Sequence, residues 1–371
     1  MGRSFPLHRL APGLACLLLS APAGADPRAP APDPPAAHDL EAATPFVRRA
    51  AADAQVEWTL HATSDGQHPD GAEQEMLWLM NRARQDPGAE GVFLATVDDP
   101  MVQSALGYFG VLVPVLESEF DVLEPKPPAA FDARLYEAAY EHSLYLIAND
   151  TQSHDGQLAR IADAGFHASE MRGNVYSYAE SALYAHAGFN VDWGAGDGTG
   201  MQPERGHRQA VMSIDGDYTN VGLAVVAESD PATQVGPLVV TGDYAHASSR
   251  WADHYNRFVV GTVWQDANGN GRYDAGEGFA GVTVTPDAGP YFAVTSAGGG
   301  YAIPVLDAGS LALTFSGPDI PSRVERVDVG DTSVLLDHDP MAVPEPETIA
   351  CAVTALLASA MTRHRRCRGP K

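Results

Sequence analysis

The sequence has very little cysteine and little positive charge. Its three cysteines, Cys16, Cys351 and Cys367, all lie near a terminus, so no disulfide can hold the body of the chain together. Lys and Arg number 23 against 48 Asp and Glu, which gives a formal net charge of −25. Seven of the basic residues lie in 1–25 and 363–371, where there is no acidic residue. The body is therefore strongly acidic, which argues against a nucleic-acid partner and suits an extracellular, calcium-containing medium.

The sequence also lacks an apolar run of the roughly 20 residues that span a bilayer as a helix. One shorter run, Leu10–Ser20, follows two arginines and precedes Ala23-Gly24-Ala25. That order is typical of a secretory signal peptide with its cleavage site. We predict a signal peptide over 1–25 and an Ala/Pro-rich linker over 26–70. A short transmembrane anchor is the alternative for the first segment.

The second apolar run lies at the other end of the chain. Thr348–Met361 follows Val343-Pro344-Glu345-Pro346 and precedes the arginine-rich Arg363–Arg368, whose charge fits the positive-inside rule. This arrangement resembles the PEP-CTERM sorting signal of Gram-negative bacteria. The resemblance implies that an exosortase-like peptidase acts on residues 343–371 and that the tail crosses the inner membrane only transiently. A buried C-terminal helix is the alternative.

Between the two ends, the hydrophobic pattern changes once, at Phe258. Before it, apolar residues recur at helical spacing over Ala72–Arg84 and after Asp132, which is expected to cap its helix. Short β-branched runs follow, which predicts a mixed unit over 71–257. After it, six short apolar runs broken by Gly, Pro and Asp predict a small all-β sandwich over 258–342, with strands at 259–264, 281–285, 291–295, 302–306, 311–315 and 323–329. The fold class predicted is therefore α+β. Residues 85–128 show no clear pattern, although 111–115 suits a strand or part of a lid.

Two histidines are the candidates for chemistry in the mixed unit. His154 lies in Ser153-His154-Asp155-Gly156, and His207 lies in Gly206-His207-Arg208. Two neutral imidazoles from separate turns can bind a divalent metal ion or exchange protons. Each histidine taken alone is more often a hydrogen-bonded structural residue. His142 falls on the buried stripe of its helix, where a structural role is favoured.

The motifs around these histidines resemble the CAP superfamily of secreted proteins, in its bacterial branch. The matching stretches, in the order of the family, are Leu79–Arg84 with Asp86-Pro87, Pro125–Pro128, Glu141-His142-Ser143, Ser153-His154, Gly206-His207-Arg208 and Asn220-Val221-Gly222. The resemblance implies an α-β-α sandwich over 71–257. It also implies a cleft with two histidines and two acidic residues.

The resemblance assigns the cleft residues one by one. His154 and His207 match the two family histidines, and Asp192 is the best candidate for one acid. The other acid is a Glu in the family, but Gly173 stands at its position here. Glu170 and Glu180 lie near it in sequence and could compensate. The lost carboxylate argues against catalysis without excluding it, and it leaves a two-histidine site for zinc or another divalent ion open.

A second candidate site lies in the predicted β-sandwich. Residues 266–277 fit the twelve-residue calcium-loop pattern D-x-[DN]-x-[DN]-G-x5-E. Its predicted oxygen ligands are Asp266, Asn268, Asn270, the backbone carbonyl of Arg272, and Glu277. Because strands are predicted on both sides, a helix–loop–helix sensor is excluded, and the loop resembles those of SD-repeat B-type β-sandwiches. Calcium would stiffen the unit; an Asx-rich turn without an ion is the alternative.

These patterns together predict an exported protein of the cell surface, outer envelope or extracellular matrix. Its CAP-like unit would act as a binding or structural module for a peptide, glycan or lipid. The competing hypothesis is a metal-assisted hydrolase that uses His154 and His207, with Asp192 or a nearby Glu as base. The sequence does not decide whether the cleft is catalytic, although the Gly at position 173 favours binding.

Overall fold

The computed structural model describes residues 54–342 and confirms the α+β class. Over this range the chain forms eight α-helices and twelve strands in three sheets. The predicted signal peptide, the predicted linker up to residue 53 and the predicted sorting tail lie outside the described residues.

The elements alternate irregularly along the chain. The helices are α1 (Gly71–Gln85), α2 (Pro87–Thr96), α3 (Pro100–Phe109), α4 (Val113–Asp121), α5 (Ala133–Ala148), α6 (Gln157–Asp163), α7 (Ala182–Ala187) and α8 (Gly206–Val211). The strands are β1 (Val56–Glu57), β2 (Ala130–Phe131), β3 (Ala168–Ala179), β4 (Asn220–Ala227), β5 (Leu238–Ala247), β6 (Phe258–Thr262), β7 (Thr283–Pro286), β8 (Tyr291–Val294), β9 (Gly300–Pro304), β10 (Gly309–Gly317), β11 (Ile320–Val329) and β12 (Val334–Leu335).

The mixed unit has three layers, with a sheet of order β2-β4-β5-β3 between helices. Helix α5 lies on one face so closely that a Cβ at Gly222 would overlap the backbone of Leu135. On the same face Ser143 Oγ donates to Thr241 Oγ1 at 2.8 Å. The opposite face carries α1, whose buried Arg84 donates to the carbonyl of Tyr218 at 2.7 Å. The glycine in β4 therefore permits the closest approach of helix and sheet.

Residues 87–121 form three short helices where the sequence pattern was unclear. Asp86 and Asp99 each cap the helix that follows, and each cap is followed by a proline at the first helical position. Both features favour helix initiation, because the cap accepts free N–H groups and proline needs no donor there. Residues 111–115, suited by sequence to a strand or lid, lie at the start of α4. No strand forms there.

The second unit is a β-sandwich of two sheets. One sheet has the order β1-β8-β7-β10-β11 and the other the order β12-β6-β9. Apolar side chains from both sheets, such as Val259, Ile303, Leu313 and Phe315, form its core. Strands β1 and β12 are additions to the six strands that the sequence pattern predicts.

The stretch 54–70 differs from its prediction as part of a linker. Its Val56 pairs with Tyr291 in β8, so these residues add an edge strand to the β-sandwich. Trp58 lies edge-on between Tyr255 and Tyr291, with ring centroids 5.3 Å apart in both pairs. Large aromatic side chains bury much apolar surface. This burial, rather than any local periodicity, fixes the segment.

The two units share an interface along α1. Trp78 on α1 donates through its indole N–H to Asp337 at 2.8 Å, and its ring meets Trp264 with centroids 5.5 Å apart. Gln74 on α1 donates to Thr262 at 2.8 Å. Burial raises the pKa of Asp337 to about 6. Helix α1 therefore lies in the core of the mixed unit and also contacts the β-sandwich.

Within residues 54–342 no single helix has the length and apolar character needed to cross a bilayer. The pair α3 and α4 meets that test only when the two helices are taken together, and they meet at a bend of 104°.

Candidate functional site

A buried carboxylate holds the ring of His207. Asp192 Oδ1 lies 2.6 Å from His207 Nδ1, and Asp192 Oδ2 accepts the backbone N–H of His207 at 3.0 Å. Asp192 is only 1% exposed, and a buried carboxylate is costly unless it is paired. The structure thus places the acid suggested by the sequence against the second histidine. A partner on Nδ1 orients the ring so that Nε2 faces any ligand.

The backbone around this pair is constrained. Asp192 ends a π-helical turn, Gly188–Asp192, and has φ of 57°. Glu204 and Arg205, just before α8, have φ of 64° and 51°. Such conformations cost a non-glycine residue about 1 kcal/mol or more and cluster at functional sites. Three of the five non-glycine residues with positive φ in the described range therefore lie next to His207 or contact it.

Helix α4 stabilises the turn that leads into α8 through ion pairs. Its Glu119 accepts from Arg205 Nη2 at 2.8 Å and from Arg208 Nη1 at 2.6 Å. Arg208 is buried and also donates to the carbonyl of Val191 at 3.2 Å. Charged hydrogen bonds of this kind are stronger than neutral ones. The helices of residues 87–121 therefore position the His207–Asp192 pair.

His154 lies at the surface, just before α6, and is held by an amide rather than an acid. Its Nδ1 is 2.7 Å from Gln157 Oε1. Burial by neighbouring atoms lowers the pKa of His154, the Gln157 bond opposes this, and the nearby His207 and Arg172 lower it further. The two histidines are thus electrostatic neighbours. Among residues 54–342, neither His154 nor His207 has a hydrogen-bond partner at Nε2.

Gln157 also fills the space beside Gly173, the position at which the predicted CAP resemblance implies an acid. A Cβ at Gly173 would lie 2.7 Å from Gln157 Oε1, so no larger side chain fits there while Gln157 keeps its position. Gln157 Nε2 donates to Asp243 Oδ1 at 2.8 Å, and Asp243 faces Gly173 in the register of β3 and β5. The structure therefore links His154, Gln157 and Asp243. The sequence motifs gave no signal for the last two.

Asp243 is the most perturbed acid of the cleft. Burial raises the pKa of Asp243 to about 8, against the opposing effects of Gln157 and Arg160. Its Oδ2 has no hydrogen-bond partner within the described chain. A carboxyl with such a pKa keeps its proton at neutral pH. Asp243 is therefore a neutral acid behind Gln157, in contrast to the His-paired Asp192.

The other residues proposed from sequence lie elsewhere. Glu170 is exposed and accepts the backbone N–H of Asp217 at 3.3 Å. Glu180 is also exposed, and in the described part of the chain neither Glu bonds to a cleft histidine. His142 lies within 2.8 Å of the carbonyl of Ser153, and burial lowers its pKa to about 4. These three residues do not complete the site.

A cavity of about 460 Å³ opens beside His207. Five aromatic side chains line it: Phe109, Tyr176, Tyr178, Phe189 and Trp193. Three carboxamides also line it: Gln152, Gln202 and Gln234. Concave sites of this size with mostly apolar walls and a few polar groups are typical of small-molecule binding. The cavity with His207 in its wall, together with His154, whose charge interacts with that of His207, forms one candidate site, which we call the cleft.

The loop 266–277 has the internal hydrogen bonds that the predicted pattern requires. Asp266 accepts the N–H groups of Gly269 at 2.7 Å and Gly271 at 2.8 Å. The amide oxygens of Asn268 and Asn270 each accept a backbone N–H two residues ahead, at 2.9 Å. These Asx turns fold the segment into a compact ring. Gly269 and Gly271, with φ of 78° and 76°, make its sharp turns possible.

Side chains of the loop also bond to one another and across the loop. Asn268 and Asn270 both donate to Asp274 Oδ2 at 2.6 Å. Glu277 reaches back across the loop, and its two oxygens accept the N–H groups of Ala267 and Asp274, each at 2.9 Å. The donor set of carboxylates and amides is one that suits a hard cation such as Ca²⁺.

Arg272, whose carbonyl is the remaining predicted ligand, also bonds within the loop. The backbone N–H of Arg272 donates to Asn270 Oδ1 at 2.9 Å, and its guanidinium pairs with Asp274 at 3.1 Å. Glu75 on α1 lies next to the loop, and its pKa is raised to about 7 by burial and by the charge of Asp274. The loop therefore borders the interface between the two units.

A further group of side chains could hold a metal ion, and no motif in the sequence pointed to it. His68, Asp70 and Glu73 have ligand atoms within 4.8 Å of one another. Asp70 and Glu73 form a capping box at the start of α1, and His68 Nδ1 lies 2.7 Å from Glu73 Oε2. The D-x-x-E spacing before an apolar run is the sequence signal for the capping box. All three side chains already have a structural role at this helix end.

Comparison of the chain with known protein families, with curated proteins and with solved structures gives no match. The resemblances to the CAP superfamily and to PEP-CTERM signals therefore stay predictions. The geometry of the site consists of a His–Asp pair, a His–Gln–Asp chain, and the cavity between aromatic and amide side chains.

Proposed function

We propose that this chain is an exported protein of the cell surface or extracellular matrix whose α-β-α unit binds a ligand in the cleft. The observation that carries the proposal is the cavity of about 460 Å³ beside His207. Its walls combine aromatic faces with a few amide groups, as in sites that recognise a ligand by shape and hydrogen bonds. The proposed ligand is a peptide, a glycan or a lipid.

Binding is favoured over catalysis because the second carboxylate is missing. Gln157 occupies the space beside Gly173 and holds His154 with a neutral amide. An amide cannot take a proton from a nucleophile at neutral pH, and Asp243 behind it is itself protonated. The cleft thus keeps one acid–base pair, His207 with Asp192. His154 has only the neutral amide of Gln157 behind it, so no second carboxylate supports its ring.

The experiment is a thermal-shift screen of the full chain with three probe classes: cellohexaose, palmitate and a neutral alanine–tyrosine hexapeptide. We expect at least one class to raise the unfolding midpoint. Tyr178→Ala should reduce the shift, because Tyr178 lines the cavity and is 39% exposed. Tyr140→Ala is the matched control, since Tyr140 is 36% exposed on α5 and does not line the cavity. Absence of a shift with all three classes would refute the binding role.

The second candidate is a metal-assisted hydrolase. Its supporting observation is that His154 and His207 both use Nδ1 for a hydrogen bond, while Nε2 of each has no hydrogen-bond partner among residues 54–342. A divalent ion held by both would supply a Lewis acid and an activated water. Asp192 would orient His207, as second partners of metal-binding histidines do, and its loss typically weakens metal affinity by about 10–100-fold.

Zinc binding is tested by the unfolding midpoint of the full chain after chelation, with calcium held constant. Zinc should raise the midpoint of the wild type and of His246→Ala, because His246 bonds to the carbonyl of Asp217 outside the cleft. It should leave His154→Ala/His207→Ala unchanged. An equal shift in all three proteins, or in none, would rule out a two-histidine metal site. A hydrolase also requires zinc-dependent turnover of a peptide or ester substrate.

We further propose that calcium stiffens the β-sandwich through the loop 266–277. Asp266 and Glu277 would supply charge, and Asn268, Asn270 and the Arg272 carbonyl would supply neutral oxygens. A divalent ion would compensate the mutual repulsion of these acids and of Asp274. Export, surface sorting and action of an exosortase-like peptidase complete the proposal, and they depend on sequence segments outside residues 54–342.

A further inference from the structure

The cavity of the cleft is assembled from separate segments of the chain. Phe109 comes from the end of α3, Tyr176 and Tyr178 from β3, and Phe189 and Trp193 from the π-helical turn and the residue after it. The aromatic rings contact one another: Phe109 and Trp193 are nearly parallel, with an interplanar angle of 7° and centroids 6.2 Å apart. The aromatic side chains therefore support one another, and Tyr178 is the one with the largest exposed fraction, 39%.

The ring edges are fixed by hydrogen bonds as well as by packing. The indole N–H of Trp193 donates to the hydroxyl of Tyr176 at 3.3 Å. Their rings stand at 66° to each other, with centroids 6.5 Å apart. A preformed aromatic wall costs little conformational entropy on binding. It favours a ligand with flat, weakly polar faces.

Three carboxamides from three different loops border the aromatic wall. Gln152 accepts the N–H of Ser177 at 2.9 Å through Oε1, which leaves its NH₂ group for other partners. Gln202 donates weakly to the carbonyl of Trp193 at 3.4 Å, and Gln234 is exposed at the rim. A carboxamide both donates and accepts hydrogen bonds, as a hydroxyl does. Three of them suit a ligand with several hydroxyl groups.

The charge pattern disfavours anionic ligands. The residues that line the cavity in the described chain include no Asp, Glu, Lys or Arg. A phosphate, sulfate or carboxylate would have no cation to pair with there, and the acidic body would repel it. A fatty acyl chain would bury the three amides without hydrogen bonds, which is costly. The walls thus disfavour anions and simple lipids.

A peptide that adds to the sheet as a further strand is also disfavoured. Strand β3 lies at the edge of its sheet, which is where such peptides pair. At Ser177, however, the N–H is taken by Gln152 and the carbonyl by Gly236 at 2.7 Å. The carbonyl of Asn174 accepts from Gln157 at 3.3 Å. These side-chain and loop bonds block the edge along the cavity.

We propose that the cleft binds a neutral oligosaccharide, an inference that rests on the binding role proposed above. The C–H faces of sugar rings would pack on Tyr178, the most exposed of the five aromatic side chains, and their hydroxyl groups would bond to Gln152, Gln202 and Gln234. A site with amides placed for hydroxyls discriminates strongly against ligands that lack them, because its polar groups would then be left unpaired. Uncharged glucan or chitin fragments have the required chemistry.

The test is isothermal titration of the full chain with cellohexaose, maltohexaose and chitohexaose, beside a heparin hexasaccharide, palmitate and the alanine–tyrosine hexapeptide. We expect saturable binding of at least one neutral sugar and none of the heparin fragment. Tyr178→Ala should weaken that binding about tenfold or more, because it removes a stacking face. Gln234→Ala should weaken it less, and Tyr140→Ala should leave it unchanged. The unfolding midpoint checks that each variant is folded.

The outcomes separate this inference from the binding role on which it rests. If the peptide or palmitate binds, and Tyr178→Ala removes that binding while no neutral sugar binds, the cleft is a binding site but not for sugars. If a neutral sugar binds all variants equally, it binds elsewhere, and the inference is wrong. If no probe of any class binds, both the inference and the binding role are refuted.

Discussion

The cleft and the loop 266–277 are both polar sites, but they are held together differently. The cleft depends on Asp192, His207 and Asp243, which come from different elements of the chain. Both acids are at most 1% exposed. The loop is one continuous segment, largely exposed, whose side chains bond to its own backbone. The cleft therefore depends on the packing of the whole α-β-α unit. The loop depends on local turns and on balancing its own negative charge.

The largest expected effect comes from breaking the packing beneath the cleft. Gly222→Ala places a methyl group against the backbone of Leu135, where neither helix α5 nor strand β4 can yield easily. Overpacking against backbone should lower the free energy of unfolding by at least about 3 kcal/mol, as measured by urea denaturation. Binding in the cleft should be lost with it, while calcium binding by the loop should persist.

Gly107→Ala is the control for this change. Gly107 lies inside α3, and a Cβ there would meet no atom within 4 Å. Alanine in a helix interior is more stable than glycine by about 1 kcal/mol, so this variant should be slightly more stable than the wild type. Equal stability of Gly222→Ala and the wild type would show that α5 is not held against β4 as described.

The next effect concerns the pH dependence of the buried acid Asp243. Its pKa is about 8 in the folded state, well above the usual value of 3.8. Between these values the folded chain binds more protons than the unfolded chain, so stability falls as pH rises from about 4 to about 8. The expected loss is several kcal/mol in the wild type, and Asp243→Asn should remove it.

This prediction is measured as urea midpoints of both proteins from pH 4 to pH 9. The difference between them isolates Asp243 from the other titrating groups, including Asp337, whose pKa of about 6 acts in the same direction. Parallel pH profiles for the two proteins would contradict the protonated state of Asp243.

The smallest effect is expected at the loop. Calcium at about 100 times its dissociation constant should stabilise the β-sandwich by about 2.7 kcal/mol, seen as a higher unfolding midpoint. Glu277→Gln removes the carboxylate that closes the ring and should abolish the calcium-dependent shift. Asp307→Asn, an exposed acid elsewhere in the sandwich, should keep it. A shift retained in Glu277→Gln would place calcium at another site.

Much of the fold was predictable because several signals are local. Asp132 was expected to cap α5, and its side chain does accept the N–H of Arg134 at 2.9 Å. Six of the eight strands of the β-sandwich coincide with predicted runs. The strand β3 was missed because its 168–179 stretch mixes Glu, Met, Arg and Gly, and only pairing with β5 makes it a strand. Helices α2 to α4 were missed, although the Asp-Pro starts of α2 and α3 are local signals.

The candidate cleft was predictable only in part. The motifs pointed to His154, His207 and Asp192, and the structure places Asp192 against His207. They gave no signal for Gln157 or Asp243, because these residues meet only through the register of β3 and β5 and the position of α6. The five aromatic residues of the cavity span positions 109 to 193, so no local pattern could group them.

The sequence by itself determined what depends on neighbouring residues: the helix caps, the Asx turns of 266–277 and the change to short strands at Phe258. The tertiary structure alone decided that Gln157 fills the space beside Gly173, that Asp243 keeps its proton and that an uncharged cavity lies beside His207. The physical reason is the sequence separation of the interacting residues. Hydrogen bonds between residues two or three positions apart are encoded by neighbouring residues in the sequence, whereas burial and desolvation depend on which distant segments pack together.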